Sequence, residues 1–256
     1  ALGYGALDYP DTESDNLAIG YDALGGSIAG GEFNIAIGNY SLDANTTGDE
    51  NVSVGYNALT ANTTGSLNTA TGFKSLESNT TGDNNTAFGS QSLQNNTTAS
   101  DNTAFGRDAL RYNTTGTRNI AIGYGALDAP DTENDNLAIG YDALGGSIAG
   151  GEDNVAIGNY SLDALTSGDD NTAVGYNSMT SVTTGSNNTA VGKNAAWSTT
   201  TGADNVAIGE LALAQNTSGS RNIAIGSLAY HTPLNPSTDN IAIGYKAMYD
   251  ATDPGG

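Results

Sequence analysis

One glycine, returning along the whole chain at a nearly constant interval, limits what these 256 residues can build. The string Asn-x-Ala-x-Gly ends at Gly3, Gly20, Gly38, Gly55, Gly72, Gly89, Gly106, Gly123, Gly140, Gly158, Gly175, Gly192, Gly209, Gly226 and Gly244. Eleven of the fourteen intervals are 17 residues, and three (Gly20 to Gly38, Gly140 to Gly158, Gly226 to Gly244) are 18. Surface loops of an ordinary domain tolerate insertions, so such a domain has no reason to keep step like this. Identical coils stacked in register do.

A longer period overlies the short one. Residues 3–62 recur at 123–182 with 13 differences in 60 positions, and the 18-residue coils fall at equivalent places, Gly25-Gly26-Ser27 and Gly145-Gly146-Ser147. Seven coils, residues 3–122, thus reappear as 123–243. The array grew by copying, which makes length itself a useful property.

With the motif glycine numbered zero, a full coil has Asn at −4, Ile, Leu, Val or Thr at −3, Ala at −2, Ile, Val or Phe at −1, Ala or Ser at +3, and Leu or Met at +4. Asn-Thr-Thr-Gly often follows at +7 to +10, as in Asn113-Thr114-Thr115-Gly116. The segment from −4 to −1 favours β structure and is too short for a helix, while glycine marks each turn. Two short strands per coil, joined by tight turns, predict an all-β parallel β-solenoid of about fifteen 17-residue coils. The prediction is one repeat array over residues 1–256 that contains the duplicated seven-coil block. The chain starts at Ala1 inside a repeat and ends in Asp253-Pro254-Gly255-Gly256, so it reads as a fragment of a longer protein.

Every complete motif carries Asn at −4: Asn16, Asn34, Asn51, Asn68, Asn85, Asn102, Asn119, Asn136, Asn154, Asn171, Asn188, Asn205, Asn222 and Asn240. Stacked at about 4.8 Å, those amides are spaced for a hydrogen-bonded ladder. Position −2 is Ala with the single exception of Ser53, and positions −3 and −1, which point the other way in a strand, carry pairs such as Ile35 and Ile37 or Thr103 and Phe105. Both strand faces are therefore largely apolar, but a thin coil has only one interior. The second face needs a cover, and self-association with closed rotational symmetry is the expected one.

Composition narrows the function. The net charge of −21, from 28 acidic and 7 basic residues, repels a phosphate backbone and excludes nucleic acid as a partner, while leaving room for divalent cations. With no cysteine there is no disulfide, thiolate nucleophile or zinc-thiolate site. No run approaches the roughly 20 apolar residues of a membrane span.

The string Asn34-Ile35-Ala36-Ile37-Gly38, repeated at Asn222-Ile223-Ala224-Ile225-Gly226, resembles the head repeats of trimeric autotransporter adhesins. It is also similar to arrays in phage tail-fibre proteins and other surface proteins that end in an endosialidase-type intramolecular chaperone. The resemblance covers essentially the whole chain. It implies a left-handed parallel β-roll, with three chains packing their inner sheets about a threefold axis in an extracellular location on a cell or virion surface. The 17-residue coil has a longer outer turn, at +5 to +12, than the usual head repeat.

Candidate sites are few. Asp11-Thr12-Glu13-Ser14-Asp15 and its copy Asp131-Thr132-Glu133-Asn134-Asp135 alternate carboxylates in a spacing that a bent loop can wrap around Ca²⁺. The plainer reading is a solvated acidic turn. Acidic residues recur at +12 (Asp15, Glu50, Asp101, Asp135, Asp153, Asp170, Asp204, Asp239), where Arg118 and Arg221 relieve the repulsion locally. The Thr pairs at +8 and +9, from Thr46-Thr47 to Thr114-Thr115, form a ladder that could match ice. Trp197 and Tyr21, Tyr56, Tyr141 and Tyr176 could form a ligand platform or cover the ends of a small core. The only histidine, His231, stands without a Ser/His/Asp arrangement or a cysteine.

The expectation is a non-enzymatic structural segment of an extracellular trimeric fibre or adhesin that spaces a receptor-binding or anchoring element from a cell or virion. Its partner would be itself as a homotrimer, and Ca²⁺ the only candidate cofactor. The alternative is an ice-binding or carbohydrate-binding β-solenoid.

Overall fold

The computed structural model describes residues 1–8, 15–27, 29–129, 132–232 and 236–250. The chain is an all-β parallel β-solenoid of about 13 turns with 14 parallel strands, and no helix occurs among the described residues. It divides into two compact units, Ala1–Thr132 and Glu133–Gly256.

The first unit holds β1 (Leu17–Ile19), β2 (Ile35–Ile37), β3 (Val52–Val54), β4 (Thr69–Thr71), β5 (Thr86–Phe88), β6 (Thr103–Phe105) and β7 (Ile120–Ile122). The second holds β8 (Leu137–Ile139), β9 (Val155–Ile157), β10 (Thr172–Val174), β11 (Thr189–Val191), β12 (Val206–Ile208), β13 (Ile223–Ile225) and β14 (Ile241–Ile243). Within each unit the strands pair in sequence order and in register, so that Ala36 lies beside Ala18 and Ala173 beside Ala156. The 18-residue coils leave the register intact, because their extra residue is taken up outside the strand. The coil ending at Gly3 contributes only an isolated bridge, Leu2 with Ile19.

Two strands per coil were expected; among the described residues each coil shows one, of three residues. The other limb of the coil is barred from β geometry by its backbone. Positions +2 and +4 have positive φ, as at Tyr40 (59°) and Leu42 (54°), and so does the residue before the −4 Asn, as at Glu50 (54°). The limb still bonds to the next coil through Leu42 N–H to Ala58 O at 3.0 Å and Thr46 N–H to Thr63 O at 2.8 Å. A leucine in the left-handed region costs about 1–2 kcal/mol. Leu24, Leu42, Leu59, Leu76, Leu93 and Leu110 are nonetheless all fully buried there, and burying a leucine is worth about 1.5–3 kcal/mol. Burial offsets the strain, and the side chain lands in the core because of it.

The interior of each coil is thin: Ala at −2, Ala or Ser at +3, Leu at +4, and asparagines. Ser53, the exception at −2, is satisfied in place, with its hydroxyl donating to Ala58 O at 2.8 Å and bonded to Ser41 Oγ at 2.7 Å. The motif glycine has no substitute. Gly89 has φ +144°, and a Cβ built on it would stand 2.3 Å from the Gly106 carbonyl oxygen of the next coil.

Candidate functional site

The strand alternation sends Ala inward and positions −3 and −1 outward. In the first unit Leu17, Phe88, Phe105, Ile120 and Ile122 are exposed on that outer face, and in the second Val191, Ile208, Ile241 and Ile243 are. Phe88 and Phe105 stack with ring centroids 4.9 Å apart and planes 6° apart. Thr69 and Thr71 of β4 interrupt the apolar columns just before them.

The −4 asparagines are buried through the middle of each unit, as expected of a ladder, but their bonding is richer than amide to amide. Asn34 Oδ1 accepts the backbone N–H of Asn51 at 2.9 Å as well as Asn51 Nδ2 at 3.1 Å, and Asn51 Nδ2 also donates to Gly65 O at 2.9 Å. Each side chain thus ties its own coil to the previous strand and to the following turn. The same pattern runs at Asn154, Asn171 and Asn188.

Of the six carboxylates considered for Ca²⁺, Asp11, Glu13 and Asp131 lie outside the described residues. Glu133 is buried and accepts the Gly150 N–H at 2.8 Å, whereas Asp15 and Asp135 are exposed at positive-φ positions. Glu133 therefore ties its own turn to the backbone of the next coil. Among the described residues no group of three or more His, Cys, Asp or Glu side chains is arranged to hold a metal ion.

The acidic column at +12 has a conformational origin. Its members share positive φ (Asp101 63°, Asp170 56°, Asp239 63°), a region that Asp and Asn enter more readily than most residues. Arg221 answers the charge locally, with Nε 2.6 Å from Asp239 Oδ1. That hydrogen bond and the opposite charge hold the Asp239 carboxyl below its ordinary value and the guanidinium above its own.

The Thr hydroxyls at +8 are already engaged: Thr46 and Thr80 donate to the carbonyls of Thr63 and Thr97 at 2.8 and 2.9 Å, and Thr166 repeats the bond in the second unit. Only the +9 column (Thr47, Thr64, Thr81, Thr98, Thr115) is exposed. His231 stacks on Tyr249 at 5.2 Å, and partial burial lowers its pKa. Trp197 and the tyrosines after the motif glycines do not cap the core. Trp197, Tyr21, Tyr56, Tyr141 and Tyr176 are all exposed.

Comparison of the chain with protein-family models, with curated proteins and with solved structures returns no match.

Two features escaped sequence reasoning. The first is a second buried asparagine ladder at +7, where Asn62, Asn79, Asn96 and Asn113 each donate to the preceding amide oxygen at 2.9 Å. Its signal was in the Asn-Thr-Thr-Gly string, where the Asn passed for a turn residue. The second is a packed aromatic column. Where +1 is Asn39 instead of an aromatic, Tyr40 at +2 swings in, giving Tyr4, Tyr21, Tyr40, Tyr56 and Phe73 successive centroid separations of 5.5, 5.4, 5.9 and 5.7 Å.

Proposed function

We propose that this chain is a structural segment of an extracellular trimeric fibre, a spacer built as a left-handed β-roll of about fifteen coils, whose outer sheet faces meet around a threefold axis. The observation that carries the reading is the sheet with apolar side chains on both faces, one of them exposed in the single chain along β5, β6 and β7 and again along β11, β12 and β14. Parallel sheets are ordinarily covered on both sides, and a long apolar stripe in water invites association. A copy of the same chain is the occupant that fits, because stacked coils of equal pitch match one another strand for strand. Closed symmetry then leaves no stripe open. The repeated interior supports the spacer role, since adding coils lengthens such an array without changing its chemistry.

The test is light scattering on the chain beside the double variant Phe88→Asp with Phe105→Asp. The parent is expected as a trimer and the variant as a folded monomer, because carboxylates in the seam would be desolvated against one another. A parent that is a monodisperse monomer overturns the proposal.

A further inference from the structure

The aromatic column offers a chemistry that the spacer role does not use. Tyr4, Tyr21, Tyr40 and Tyr56 stand on successive coils, each ring within 5.9 Å of the next. The second unit repeats the central part, with Tyr141, Tyr160 and Tyr176 separated by 5.4 and 6.1 Å. Tyr4, Tyr21 and Tyr56 are exposed and Tyr40 is half-buried, so an oxidant can reach the column. The chain has no cysteine, and Met179 is fully buried, so only the exposed Met248 and Trp197, both outside the column, compete with it for an oxidant.

We propose that the tyrosine column is a site of oxidative cross-linking, in which neighbouring coils become joined by dityrosine. The oxidant class is a peroxidase acting on hydrogen peroxide. Each of two neighbouring phenols gives up one electron and its hydroxyl proton, and the two ring radicals join ortho carbon to ortho carbon. The displaced ortho hydrogens return to the phenol oxygens, and one hydrogen peroxide is reduced to two waters per link.

The stacked coils supply the proximity. Rings held about one coil apart meet as an intramolecular pair at a high effective concentration, while coupling between molecules needs two radicals to collide. The rings cross at 69° for Tyr21 with Tyr40 and at 88° for Tyr40 with Tyr56, so coupling requires a ring to turn, and exposed side chains do so within nanoseconds. Each link would bridge the backbone of two coils in a chain that disulfides cannot staple. This inference rests on the ring geometry alone and does not need the fibre reading.

The experiment treats the folded chain, dilute, with a haem peroxidase and limiting hydrogen peroxide. Dityrosine fluorescence should appear while the band on a denaturing gel keeps the size of one chain, and the mass should fall by two hydrogens per link. Cleavage at acidic residues should yield peptides joining Tyr21 to Tyr40 or Tyr40 to Tyr56, outnumbering links at Tyr112 and Tyr245 by about tenfold or more. Tyr40→Phe keeps a ring in the column but removes the phenol, and should abolish both links. The same treatment of the urea-unfolded chain should lose the preference. Three results overturn the proposal: links spread evenly over Tyr112, Tyr245 and the column; chains joined only to one another; or oxidation consumed at Trp197 without dityrosine.

Discussion

At the scale of single residues, the fold rests on buried amides as well as on buried apolar side chains. The +7 column shows how such a ladder can be given up. In the first unit it is asparagine at Asn45, Asn62, Asn79, Asn96 and Asn113, all fully buried. In the second the equivalents of Asn45 and Asn62 are Leu165 and Val182, equally buried. Two adjacent rungs are apolar together, which spares either from facing an unsatisfied amide. The third replacement is less complete: Thr199, the equivalent of Asn79, is buried and its Oγ1 has no hydrogen-bond partner. Deleting one partner of a buried pair costs about 1–3 kcal/mol, while replacing both by apolar groups is close to neutral. Asn62→Ala should therefore lower stability by about 1–3 kcal/mol in denaturant titration, and Asn45→Leu with Asn62→Val should cost less than that single change. A double variant as damaged as the sum of its parts would mean that the rungs act independently.

The coil is the next scale, and here the sequence was legible in one limb and opaque in the other. The segment from −4 to −1 declared itself through Asn, alternation and glycine, and β1 to β14 fall there. The second limb did not, because Leu42 or Leu110 at positive φ contradicts every local preference of leucine, and only stacking on neighbouring coils overrides it. The outer face was legible as an apolar column. The aromatic column was not, since Tyr40 joins it from a different position of the repeat. The second limb also carries the charge-sensitive contacts. Burial, with the charge of Asp22 added, raises the carboxyl of Asp43 above its ordinary value, though the Gly25 N–H works the other way. Asp163 is raised by burial and by Asp142 in the same manner. At Glu77 burial pushes upward, but hydrogen bonds from Gln94, Lys74 and Asn57 and the Lys74 charge outweigh it and hold the group low. A carboxyl raised in the folded state binds its proton there first, so its ionised form destabilises the fold at neutral pH, and that loss is recovered as pH falls toward the unfolded value near 3.9. Asp43→Asn with Asp163→Asn should raise the midpoint of thermal unfolding at neutral pH, with the gain shrinking on acidification. A gain that persists unchanged at the acid end would place its origin elsewhere.

For the molecule as a whole, the question is what the outer sheet face meets. The chain has no cysteine, so one introduced residue reports without background. Thr86 lies exposed at −3 on β5, on the face assigned to the seam, and Thr81 lies exposed in the outer turn of the preceding coil. Around a threefold axis the three copies of residue 86 would stand at one height and close together, and mild oxidation would join two of every three. The decisive measurement is the yield of interchain disulfide from Thr86→Cys compared with Thr81→Cys on a non-reducing gel. The account predicts efficient dimer formation capped near two-thirds of the chains for Thr86→Cys and little for Thr81→Cys. Equal cross-linking at the two positions, or none at residue 86, would contradict it.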